Sequence, residues 1–95
     1  MQHIITNKNT KMDIYSIAPM GGGIYIDTIG KNFIELAGIF SDPEETEKID
    51  YYIGDEYVRS YRGFTVLSEL STLDDNIVLV ALKKPEPEET DNFIE

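Results

Sequence analysis

The chain has 95 residues, 41 % of them hydrophobic, with six tyrosines, four phenylalanines, no cysteine and a formal charge of −10. A chain of this size and apolar content folds around one modest core, and without cysteine it has no disulfide framework, thiolate nucleophile or sulfur-ligated zinc. Its longest apolar stretch, Ile77 to Leu82, falls far short of the ~18 to 20 residues of a membrane span, and its net charge disfavours phosphate backbones and anionic lipid.

In chain order, Gln2 to Thr6 and Lys11 to Ala18 are β-leaning runs around Asn7 to Thr10, which predicts a hairpin. Pro19 and the glycines Gly21, Gly22 and Gly23 are expected to break any regular element. Ile24 to Ile29 then reads as a strand, paired through a Gly30-Lys31-Asn32 turn with a second strand, Phe33 to Phe40, in which Gly38 marks a bulge or close backbone approach. Ser41 or Asp42 followed by Pro43 and then Glu44, Glu45 and Glu47 has the grammar of a short helix near 42–48: a capping side chain, proline in the first turn and acids at the positive end of the dipole. Asp50 to Ile53 and Asp55 to Tyr61 predict two strands around Gly54, with a helical turn over Glu56 to Arg62 as the alternative. Phe64 to Leu70 is ambiguous, because Phe64, Val66, Ser68 and Leu70 alternate whereas Leu67, Leu70 and Leu73 fit a helical face; strand is preferred. Ile77 to Leu82 predicts a central strand buried on both faces.

The predicted fold is mainly β, with α+β as the alternative: a small antiparallel sheet or partly open barrel of six to seven strands with one short helix. Residues 1–84 form the single domain and 85–95, rich in Pro, Glu and Asp, a flexible acidic tail. No segment has the basic and then apolar grammar of a leader, and a reducing cytoplasm fits the absence of cysteine.

The charge is unevenly distributed. Residues 1–41 and 59–84 are close to neutral, whereas 42–58 carry −6 and 85–95 carry −5. No catalytic set emerges: His3 is the lone histidine and reads as an ordinary strand or surface residue, and the acids lack the spacing of a calcium loop. The expectation is a non-enzyme with no cofactor and no metal site.

The stretch from Asp50 to Arg62 combines Tyr51, Tyr52, Tyr57 and Tyr61 with Arg59 and Arg62. Tyr and Arg dominate interface hot spots, since each couples a large apolar surface to a directed polar group. The same residues also suit a strand pair with half its tyrosines in the core, and both readings hold if they describe opposite faces. With Glu44, Glu45, Glu47, Asp50, Asp55 and Glu56 beside them, they predict a contact surface for a protein partner with a basic surface. In size and charge alone, the chain resembles small acidic inhibitors of nucleic-acid enzymes, including phage-encoded anti-restriction and anti-CRISPR proteins, which implies a host-cell cytoplasmic protein. An alternative is binding of a nucleotide-like molecule by Gly21, Gly22 and Gly23 with Arg59 and Arg62 on its phosphate. A further one is an assembly subunit docking through strand edges, a homodimer included.

Overall fold

Seven strands and two short helices make up the described residues, 1–85, of the computed structural model. The expected acidic tail lies outside the described residues from position 86 onward. The strands are β1 Gln2–Thr6, β2 Lys11–Met20, β3 Gly23–Ile29, β4 Lys48–Ile53, β5 Glu56–Arg62, β6 Val66–Thr72 and β7 Ile77–Lys83; the helices α1 Phe33–Phe40 and α2 Pro43–Thr46 fall between β3 and β4. All pairings are antiparallel, in the order β5-β4-β1-β2-β3-β7-β6.

This sheet is open but cannot be flat. Seven strands at ~4.8 Å spacing would hold the outermost two about 29 Å apart. Yet β5 and β6, the outermost pair, are joined only by Gly63, Phe64 and Thr65, a link that reaches at most about 14 Å. The sheet therefore folds over itself, and β2 is where it turns. Its first residues, Lys11 to Asp13, pair with β1 and those from Ile14 onward with β3, and just past that change Tyr15 is an extra residue with no opposite number. Such a bulge bends a strand and increases its twist. One core fills the inside of the fold, drawing Ile4, Ile49 and Tyr61 from one half, Ile24, Ile26, Val80 and Leu82 from the other, and Leu36 and Phe40 from α1.

Three sequence-based expectations are corrected. Phe33 to Phe40 is helix α1, not a strand, and β3 pairs instead with β2 and β7. The Asn32 side chain accepts a hydrogen bond from the Glu35 amide at 2.8 Å, and Leu36, Ile39 and Phe40 share the core-facing stripe. Gly38 lies on the open side of that helix with nothing near its missing Cβ, so it is neither a bulge nor a close approach.

Pro19 does not interrupt the chain's regular structure either, because β2 runs through it to Met20. Met20 pairs with Gly23 across a two-residue turn in which Gly21 and Gly22 have φ of +60° and +85°. Those are the signs a tight hairpin of right-handed twist requires. The pair closing such a turn is the hydrogen-bonded one, so Pro19 turns its nitrogen away from β3. On that side β1 has already ended its pairing at Asp13, and no ladder bond is lost.

The third correction is that there are two helices rather than one. The expected helix near 42–48 is α2, with Asp42 as its cap and Pro43 in its first turn.

Candidate functional site

The β4–β5 hairpin separates the predicted contact residues onto two faces. Cross-strand partners share a face, so Ile4, Ile49, Tyr51 and Tyr61 point inward together, while His3, Asp50, Tyr52, Tyr57 and Ser60 point outward. Tyr61 is 6 % exposed and belongs to the core. Tyr51 packs against that core and donates its hydroxyl to Gln2 Oε1. Arg59 lies on the same side, its guanidinium 4.8 Å from the Tyr61 ring centre. The contact surface therefore keeps Tyr52 and Tyr57 and loses Tyr51 and Tyr61 to the interior.

The carboxylates divide as well. Asp42 caps α2, accepting from the Glu44 amide at 2.9 Å and bridging Lys8 at 3.2 Å. Both contacts favour the ionised form, with the Glu44 amide the larger cause, and hold its pKa below the ordinary 3.8. A lowered folded-state pKa contributes stability that is present above the ordinary value and is lost as pH falls through the folded one. Asp42→Asn, which keeps the cap but removes the charge, is expected to make the acid limb of the unfolding curve below about pH 4 shallower, as followed by circular dichroism.

Glu45 is half-buried and engaged. It accepts hydrogen bonds from the hydroxyls of Thr6, which is 2 % exposed, and Thr10, tying α2 to the β1–β2 turn. Asn7 strengthens that tie, donating its backbone N–H to Glu45 O and its side-chain amide to Glu44 O. Glu45→Ala leaves the buried Thr6 hydroxyl without an acceptor for its proton, although its oxygen still accepts from the Thr10 amide. The expected cost is about 1–3 kcal/mol, read from the urea midpoint. Asp50 is also engaged, accepting from Ser60 and lying 3.6 Å from Lys48 Nζ.

Among the described residues, no hydrogen bond or ion pair engages the side chains of Glu44, Glu47, Asp55 and Glu56, all of which are exposed. The first two stand at one end of β4 and the last two at the β4–β5 turn. Six strand residues separate the pairs, about 20 Å at the usual rise. Arg62 is exposed beside the first pair, opposite Lys48 in register.

On the outer face between these two acidic ends lies an aromatic row that was not foreseen. His3 and Tyr52 are parallel to within 4° at 5.0 Å, and Tyr57 meets Tyr52 edge-on at 5.7 Å. The Tyr57 hydroxyl is hydrogen-bonded to Ser60, which holds Asp50. Tyr15 and Tyr25, 62 % and 37 % exposed, lie on the outer side of β2 and β3. Only the strand register reveals this row, since His3 and Tyr52 are far apart in the chain.

The glycine segment is a hairpin turn between β2 and β3, and Gly23 belongs to β3. It borders a shallow hollow of about 490 Å³ with Pro19, Met20, Phe64 and Lys84. Arg59 and Arg62 do not line that hollow. A second hollow, of about 480 Å³, opens between Lys11, Asp13 and Lys31 at the bend in β2. Among the described residues no three His, Cys, Asp or Glu side chains converge for a metal ion, and no helix is long and apolar enough to cross a membrane.

Comparison with protein-family models, with curated proteins and with solved structures finds no match for this chain.

Proposed function

We propose that this chain is a small acidic binding protein that docks the outer face of its β4–β5 hairpin onto a basic surface of a protein partner. The observation that carries this reading is an outward-facing aromatic row, half-buried at His3 and Tyr52 and exposed at Tyr57, with free, exposed carboxylates near both ends of β4, Glu44 and Glu47 at one and Asp55 and Glu56 at the other. Aromatic anchors inside a charged rim are the composition of an interface hot spot, and fixed negative charge steers a basic partner toward it. A surface built to grip nucleic acid is the basic surface that best fits this description. The chain then acts as an inhibitor that occupies that surface, as phage-encoded anti-restriction and anti-CRISPR proteins do.

Docking through strand edges is the weaker reading, because each free edge is blunted. β5 has an extra residue at Val58 and carries Glu56, Arg59 and Arg62; β6 has one at Ser68 and carries Glu69. The stretch of β2 that β1 leaves uncovered contains Pro19, and Gln2 Nε2 donates to the Tyr15 carbonyl at 3.1 Å. Bulges, charges and proline are the devices that discourage strand addition.

A displacement assay tests the proposal. The partner is captured from native cells on the tagged chain, purified, and loaded with a fluorescent oligonucleotide. Added chain is expected to release the oligonucleotide at a stoichiometry near one per site. Simultaneous binding of chain and oligonucleotide contradicts the inhibitor reading.

A further inference from the structure

The aromatic row has one end, at the half-buried His3, with no further ring against it among the described residues. β1 lies between β4 and β2, and the His3 ring stacks toward β4 on Tyr52, so its other face turns toward β2. Tyr57 closes the far end of the row edge-on. Beside the open face of His3, directly across the ladder, stands Asp13. Its side chain is exposed and, among the described residues, has no hydrogen-bond or ion-pair partner, whereas Asp50 on the same face is held by Ser60 and Lys48. The exposed Tyr15 follows two residues later on the same strand.

A π face beside an uncommitted carboxylate, both on rigid sheet backbone, fits a planar cation that stacks and donates in a fork. Guanidinium has that geometry; an ammonium group is a point charge without a plane. We infer that the His3–Asp13 step is a receptor for an arginine side chain of the partner. The inference rests on the reading of a basic protein partner and adds which basic residue is recognised. The Asp13 carboxylate, set between Lys11 and Lys31 in the hollow at the bend of β2, selects a donor fork over a stacked nucleobase, whose phosphates it repels.

The test uses the full chain and two peptides of equal length and charge, alternating Gly-Arg and Gly-Lys, with affinities measured by calorimetry at low salt. The arginine peptide is expected to bind about five- to tenfold more tightly. Asp13→Asn and His3→Ala are each expected to bring that ratio close to one while the lysine peptide still binds, and His3→Phe, which keeps a ring, retains most of it. Asp13 is exposed on the sheet's outer face, so its substitution separates recognition from folding. Equal binding of the two peptides, or a ratio untouched by Asp13→Asn, overturns the arginine receptor and leaves the acidic-surface reading standing. Failure of both peptides to bind overturns both. Tight binding of a single-stranded oligonucleotide that is lost in His3→Ala assigns the row to a base and overturns the inference.

Discussion

Phe40→Ala is expected to destabilise the domain by about 3–5 kcal/mol, the range for emptying a buried aromatic site. Phe40 is fully buried at the end of α1 and, with Leu36, fixes that helix to the inside of the folded sheet. The helix is two turns long, too short to persist without this packing. Its loss also frees the connection that carries the chain from β3 to β4, and with it α2. A domain of this size has roughly 4–13 kcal/mol of stability in total. The expected fall in melting temperature is therefore about 15–30 °C by calorimetry. The exposed Ile34, on the same helix and 83 % accessible, is the control. Ile34→Ala should change stability by no more than about 0.5 kcal/mol.

The second large effect separates two adjacent glycines. A Cβ at Gly23 would lie 2.5 Å from the backbone oxygen of Leu82, inside contact distance and against an atom held in the β3–β7 ladder. No side-chain adjustment relieves it, so Gly23→Ala must push the two strands apart at the end that closes the core over Ile24 and Leu82. The expected cost is about 2–4 kcal/mol, the upper range for overpacking, because backbone has to move. Gly22 has open space around it but a φ of +85°. Gly22→Ala meets only the left-handed penalty, about 1–2 kcal/mol. Chemical unfolding of both variants checks the order; equal losses would mean that β3 and β7 are less tightly apposed at Gly23.

Much of the sheet is visible in local pattern. The β1–β2 hairpin, the Asp42-Pro43 start of α2, the Gly54 turn and the apolar run of β7 each rest on signals within a few residues. Helix α1 carries its own signal, Asn32 as cap with Glu35 three residues on and Leu36, Ile39 and Phe40 at helical spacing. A glycine-containing turn before a segment rich in β-branched and aromatic residues masked it. Bulges explain the remaining ambiguity. Leu67 and Leu70 look helical because they are three apart yet share a face, which the extra residue Ser68 allows in a strand. The extra residue Val58 likewise puts Tyr57 outside and Tyr61 inside, although their separation of four would place them together on a regular strand.

The candidate site was legible as a segment but not as a surface. Adjacent Tyr51 and Tyr52 must face opposite ways, and which one faces out depends on pairing with β1. The membership of His3 and Asp13 depends on that same long-range register, and the engagement of Glu45 depends on Thr6 and Thr10 across the fold.

The decisive measurement is the association rate with the captured partner at about 50 and about 200 mM salt, for the natural chain and for a variant carrying Glu44→Gln, Glu47→Gln, Asp55→Asn and Glu56→Gln. Steering by these free carboxylates predicts that the natural chain slows by roughly tenfold or more over that range, and that the variant is slow at low salt with a much flatter dependence. Equal rates and equal salt slopes for the two proteins would contradict an acidic hairpin that meets a basic surface.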